Sequence, residues 1–240
     1  MNPSLQHALT AYAGDAAQRI ARTDFATLAR IGEILLNAKE RGATVFLIGN
    51  GGSAATASHV TNDLVKGCRA GDAPGFRAMC LCDSTALVTC LANDFSYAEI
   101  FSILLQTYGR PGDVVIAFSG SGNSPNIVHA LETARNMGLA TIGFGGRDGG
   151  KMKALCDTIL IAPTDSMELL EDLHLFYFHN LVCAMRPFLG SAGFQPACER
   201  STGFQPVRLR ERAFAFARVG NPIFKMEGEF LPLALHAGRR

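Results

Sequence analysis

Five short, unbroken apolar runs mark the middle of the chain: 45–48, 78–82, 114–118, 140–144 and 158–162. The stretches between them, 53–66, 84–92, 96–108 and 124–137, have the length of helices. A strand with one face in water alternates apolar and polar side chains, whereas a strand covered on both faces is apolar throughout. Unbroken runs alternating with helices therefore predict an α/β fold, a doubly wound parallel sheet flanked by helices. Ahead of the sheet, Phe25, Leu28, Ile31 and Leu35 recur every three or four positions, with Asp24 placed to cap a helix and Gly42 to end it. A second helix is expected before that one, over 4–21, and a long, largely buried one over 166–187.

The rhythm stops near residue 189. Residues 189–240 carry 8 basic and 4 acidic side chains, against 14 and 17 in residues 1–188, and contain a tetrapeptide twice, Gly193–Pro196 and Gly203–Pro206. Two copies are too few for a repeat architecture. The expected organisation is one domain over 1–188 and an appended, poorly ordered basic tail over 189–240. At 48% hydrophobic and 18% charged, the chain of 240 residues is too apolar to be disordered and long enough to bury a sizeable core. A net charge of +1 argues against nucleic acid as a ligand, because no basic excess is available to neutralise phosphates. No run is long enough to span a membrane and no signal peptide opens the chain, so a soluble cytoplasmic protein is expected. Seven scattered cysteines without a CxxC pair read as reduced core residues.

Ligands of open parallel sheets bind at the carboxyl ends of the strands, and two loops there are rich in glycine and hydroxyls. The first is Gly49-Asn50-Gly51-Gly52-Ser53, after the run 45–48. Its glycines let backbone N–H groups approach an anion, the following helix N-terminus adds free donors, and Ser53 could cap that helix. It has neither the GxGxxG spacing of a dinucleotide site nor the Gly-Lys-Ser/Thr of a P-loop. The second is Ser119-Gly120-Ser121-Gly122-Asn123-Ser124, followed by Pro125 at a first helical position. Hydroxyl donors without lysine or arginine suit a phosphomonoester held by neutral hydrogen bonds.

Beyond the first loop, His59 and Asp63 share one helical face at i, i+4, a pair suited to a divalent metal or to proton transfer. The last helix offers Glu168, Glu171, His174 and His179 among apolar neighbours. Spacing alone pairs Glu171 with His174, because Glu171 and His179 are separated by about 12 Å along the axis. His7, His129 and His236 have no motif around them and are assigned to packing or surface.

The two loops together resemble those of the sugar isomerase (SIS) domain. Ala57-Ser58-His59, Asn93-Asp94-Phe95, Gly109-Arg110-Pro111-Gly112-Asp113 and Ser121-Gly122-Asn123-Ser124 resemble the phosphoheptose isomerase branch of that family. The resemblance covers residues 1–188 and implies a SIS-type fold with N-terminal helices used for oligomer assembly. It implies conversion of sedoheptulose 7-phosphate to D-glycero-D-manno-heptose 7-phosphate through an enediol, in a homotetramer with one zinc ion per active site. Metal ligands would be His59, Asp63, Glu171 and His179, with Asp63 as base and His179 as acid. Asn50, Gly51, Gly52, Ser53, Ser119, Gly120, Ser121 and Ser124 would hold the phosphate, and Asn93, Asp94 and Glu171 would contact the sugar. Three positions depart from the family pattern, which has glutamate at Asp63, glutamine at Glu171 and threonine at Gly120. A second reading is a non-catalytic SIS tetramer that binds a protein partner, similar to the replication-initiator-associating protein. A third is a sugar-phosphate sensor, although no DNA-binding segment accompanies the domain. The histidine–carboxylate set separates the enzyme from both, since a binding module has no need of it.

Overall fold

The computed structural model describes residues 3–189. The tail expected from residue 189 thus lies, but for its first residue, outside the described residues. Two helices open the chain, α1 (Pro3–Ala21) and α2 (Phe25–Glu40), and five strands follow: β1 (Thr44–Ile48), β2 (Arg77–Cys80), β3 (Val114–Ser119), β4 (Ala140–Gly146) and β5 (Thr158–Ala162). Between and after the strands lie α3 (Gly52–Asn62), α4 (Thr85–Asp94), α5 (Ile100–Tyr108), α6 (Pro125–Asn136), the single turn α7 (Met152–Leu155) and α8 (Met167–Leu189). All strand pairs are parallel, in the order β2-β1-β3-β4-β5.

Both faces of β1, β3 and β4 are covered, which is why these strands read as unbroken apolar runs, whereas the edge strand β2 leaves Arg77 and Met79 exposed. Val45, Leu47, Val114, Ile116, Phe118, Ile142 and Phe144 point into one core, closed by α2, α3 and α8. The alternate positions Phe46, Ile48, Val115 and Ala117 point into the other, closed by α5, α6 and α7. In α2 the predicted stripe buries Leu28, Ile31 and Leu35, while Phe25, in the first turn, stays exposed. Asp24 caps this helix as expected, accepting from the backbone N–H groups of Ala26 and Thr27. The six described cysteines are free thiols.

Two elements differ from the sequence expectation. Pairing in β2 stops at Cys80, opposite Leu47, so Cys82 leaves the ladder although it extends the apolar run. Cys82 instead turns its thiol onto the Gly49 carbonyl, 3.3 Å away. The helix expected over 53–66 is α-helical only to Asn62 and continues as a π-helical turn, Asp63–Gly67. Such turns are rare and often mark functional sites.

The chain leaves β1 for β2 on one side, then returns to add β3 on the other. The loops after β1 and β3 therefore part at the point where strand order reverses, which opens a crevice between them. No helix among the described residues is long and apolar enough to cross a membrane.

Candidate active site

The crevice holds a cavity of about 170 Å³, lined by Asn50 and Ser53 from the first loop, Ser119, Gly120, Ser121 and Ser124 from the second, and Met167 and Glu171 from α8. The helices α3 and α6, which begin at the cavity, have no side-chain cap. Gly51, not Ser53, is the N-cap of α3, and Ser53 lies in its first turn. Two uncapped N-termini leave orphan N–H groups and the favourable ends of two helix dipoles facing one space, a ready anion site.

In the second loop the Ser119 hydroxyl accepts from the Gly122 N–H at 3.1 Å, and that of Ser121 accepts from the Asn123 N–H at 3.2 Å. Each serine is thus oriented by the backbone and keeps its hydroxyl proton to donate. Gly122 has φ +62°, and a side chain there would meet the Gly149 carbonyl, so the loop takes this shape only with glycine. Gly52 has a different constraint: a Cβ there would run into the Glu171 carboxylate, which packs against the glycine backbone at the start of α3. Among the described residues, Glu171 is the one ionisable side chain lining the cavity.

The second cluster lies further along α3. His59 and Asp63 are one turn apart on α3 and the π-helical turn, and His179 comes from α8. His59 Nε2 is 3.0 Å from His179 Nε2, and Asp63 Oδ2 is 3.4 and 3.3 Å from the two. With the imidazole nitrogens facing each other, neither N–H is aimed at Asp63 Oδ2, and that buried oxygen has no hydrogen-bond partner. An orphaned carboxylate oxygen beside two imidazoles fits a cation. Zinc takes nitrogen and oxygen donors at about 2.0–2.2 Å in a tetrahedron, which sets neighbouring donors about 3.3 Å apart. The three edges of this triangle come close to that face, and half-exposed histidines leave its fourth side open to a ligand.

The structure separates the other candidates. Glu171 belongs to the cavity wall and is not part of the His59–Asp63–His179 group. His174 does not pair with Glu171: it is fully buried between Phe118 and Phe144, and its Nε2 bonds the Gly145 carbonyl at 3.1 Å. Asn93 and Asp94 sit at the exposed end of α4, outside the residues lining the cavity. Asn93 Nδ2 donates to Asp94 Oδ1 at 2.8 Å, and this bond, with the Cys90 thiol, holds the Asp94 carboxyl below its ordinary range. Three residues escaped the sequence reading: Met167 on the cavity wall, and Asn126 and Tyr97, whose side chains hold Asn50. Asn126 had a signal, since an amide among the apolar residues at the start of α6 needs a partner. Tyr97 had none.

The SIS domain family matches residues 10–146, and the parallel sheet with two hydroxyl-lined loops at its switch point fits that domain. Phosphoheptose isomerase of Desulfovibrio desulfuricans is 37% identical over an alignment of 208 positions that covers 79% of this chain and 96% of that protein. Phosphoheptose isomerase of Paramagnetospirillum magneticum is 42% identical over 152 residues, 63% of this chain and 79% of the relative. The structure of phosphoheptose isomerase from Neisseria gonorrhoeae superposes with a TM-score of 0.70 at 26% identity, covering 76% of this chain and 99% of that one. The chain belongs to the phosphoheptose isomerase family, and it is an aldose–ketose isomerase.

Gly120, where the resemblance implies a threonine, lies against Met167. A Cβ at Gly120 would stand 2.9 Å from the Met167 Sδ and Cε, the far end of a flexible and partly exposed side chain. Met167 fills the space that a threonine would use. Gly120→Thr is therefore expected to fold, to displace Met167 and to add one neutral hydrogen bond to the phosphate. The KM for a sugar phosphate should fall about 2–10-fold, the range of one such bond; an unchanged KM would mean that position 120 does not face the anion.

Proposed function

We propose that the protein converts sedoheptulose 7-phosphate to D-glycero-D-manno-heptose 7-phosphate by moving a proton between adjacent carbons. The observation that carries this reading is that a single helix links the two clusters. Gly52, at the start of α3, borders the anion cavity, and His59 is seven residues further on, about 10 Å of helix. A sugar phosphate anchored at the N-terminus of α3 extends along it with its carbonyl end at the His59–Asp63–His179 triangle.

In this reading the phosphate is held by the backbone of Gly51 and Gly52 and by Ser53, Ser119, Ser121 and Ser124, with Gly120 allowing close approach. Asn93 and Asp94 are assigned to sugar hydroxyls. Asp63 takes the proton from the carbon beside the carbonyl while His179 gives one to the carbonyl oxygen, which forms the enediol; on collapse His179 recovers a proton from the other hydroxyl and the protonated Asp63 gives one to the former carbonyl carbon. His59, Asp63 and His179 would hold zinc, which when bound polarises the carbonyl and offsets the charge that develops as the proton leaves. Glu171, which the resemblance implies as a fourth ligand, lines the cavity and is assigned in this reading to the substrate. Turnover followed by NMR on protein stripped with a chelator and then given back zinc tests the proposal. Conversion only with metal is expected; a folded protein that binds the sugar phosphate in zinc without converting it would contradict it.

Glu171 places a carboxylate where the phosphate is held, with no cation on the cavity wall to offset it. Glu171→Gln is expected to lower KM about tenfold, since a like charge across so narrow a space costs more than about 1.4 kcal/mol. A raised KM would instead make the carboxylate an acceptor for a sugar hydroxyl.

A homotetramer is the proposed assembly. Its support here is α1, which leaves Leu5 and Leu9 exposed and is fastened to the body by Tyr12 to Asp172 and Arg19 to the Pro163 carbonyl. The division into a domain over 1–188 and an appendage over 189–240 is likewise proposed. It agrees with a relative matched over 96% of its length by 79% of this chain.

A further inference from the structure

Asn50 lines the cavity, yet most of its side chain is committed to the protein. Its Oδ1 accepts from Asn126 Nδ2 at 2.8 Å and from the Tyr97 hydroxyl at 2.8 Å, while its Nδ2 donates to Asn126 Oδ1 at 2.9 Å. A carbonyl oxygen has two lone pairs and an amide nitrogen two hydrogens. The oxygen is therefore filled, and one N–H is left over. Asn126 is 1% exposed in the first turn of α6, beside the buried Ile127 and Val128. An apolar side chain would pack there as well, so the paired amides are not needed to fill the core.

We infer that Asn126 and Tyr97 are positioning residues that lock the Asn50 amide with its N–H, not its carbonyl, available to a phosphate, and that tie the two anion-binding loops together. This rests on the phosphate reading of the cavity. The loop after β1 and the helix after the second loop are joined by the reciprocal amide pair, so the two halves of the cradle keep one separation before the ligand arrives. Tyr97 breaks the symmetry of that pair. Flipping the Asn50 amide alone would set an N–H against the N–H of Asn126 and turn the phenol from donor to acceptor. In a cavity with no cation, binding depends on every donor pointing inward, and preorganised donors bind more tightly than ones that must be turned.

The test uses inorganic phosphate as the probe, titrated calorimetrically into the full-length protein, together with steady-state kinetics on the sugar phosphate. Tyr97 is 55% exposed and Tyr97→Phe removes one oxygen, so this variant should keep the wild-type unfolding midpoint. It should weaken phosphate binding about 3–10-fold and raise KM by the same factor, with kcat much less affected. Asn126→Ala should weaken phosphate binding about tenfold or more. A Tyr97→Phe variant that binds phosphate like the wild type overturns the inference, as does an Asn126→Ala variant that loses stability while its phosphate affinity is unchanged. If the wild type itself takes up no phosphate, the reading of the cavity fails and the positioning role with it, an outcome distinct from wild-type binding that both variants preserve.

Discussion

Replacing Asp63 with asparagine is expected to lower kcat about 10²–10⁴-fold, the usual contribution of a positioned general base. The substitution keeps shape and volume but removes both the negative charge and the basic oxygen. Its environment makes the loss acute. Asp63 Oδ2 is buried, has no hydrogen-bond partner, and faces His59 and His179 at 3.4 and 3.3 Å. The same carboxylate is assigned two tasks, holding the metal and taking the proton, and added zinc separates them. If Asp63 only holds the metal, saturating zinc restores the variant; if it is the base, turnover stays low with the site filled. Turnover above about a tenth of wild type at saturating zinc would remove Asp63 from the proton transfer. Phosphate affinity, read by calorimetry, should change little, because no loop of the cavity is altered.

Acid should destabilise the protein through His174. Burial between Phe118 and Phe144 lowers the pKa of this histidine from 6.5 to about 4, against a smaller opposing effect of its bond to the Gly145 carbonyl. The unfolded chain binds a proton near pH 6.5 and the folded one does so only near pH 4. Between those values the unfolded state holds more protons, so stability rises with pH. The contribution is complete above the unfolded value and is lost as pH falls toward the folded one, at about 1.4 kcal/mol per unit and about 3 kcal/mol in all. Urea unfolding of the wild type and of His174→Gln at several pH values from about 7 to about 4.5 isolates the effect, because other groups titrate alike in both. The difference between the two curves should steepen in acid. Parallel curves would show that His174 is not kept neutral by the fold.

Most of the sheet was legible because its central strands are buried on both faces. Each of β1, β3, β4 and β5 begins within a residue of its apolar run, since no position along them must answer to water. The edge strand was less so: Cys82 continues the run of β2 but bonds to the Gly49 carbonyl, a tertiary contact with no trace in local pattern. The single turn α7 is too short to show a period, and nothing in composition announces the π-helical turn at Asp63. Of the site, the two loops were readable from glycine, serine and their place after strands. The metal triangle was not readable from spacing alone. His59 and Asp63 share a helix face, but His179 lies 116 positions from Asp63, and only packing of α8 against α3 brings it there. Spacing favoured His174 as the partner of Glu171; the core claimed it, because that face of α8 lies against Phe118 and Phe144.

The most direct test of the account is conversion of sedoheptulose 7-phosphate by the zinc-loaded protein in deuterated water, followed by NMR. Proton transfer through an enediol predicts D-glycero-D-manno-heptose 7-phosphate with solvent deuterium on the carbon that receives the proton, formed about 10²–10⁴-fold more slowly by Asp63→Asn. A folded protein that binds the substrate with zinc present and returns it unchanged, with no deuterium incorporated, would contradict the account.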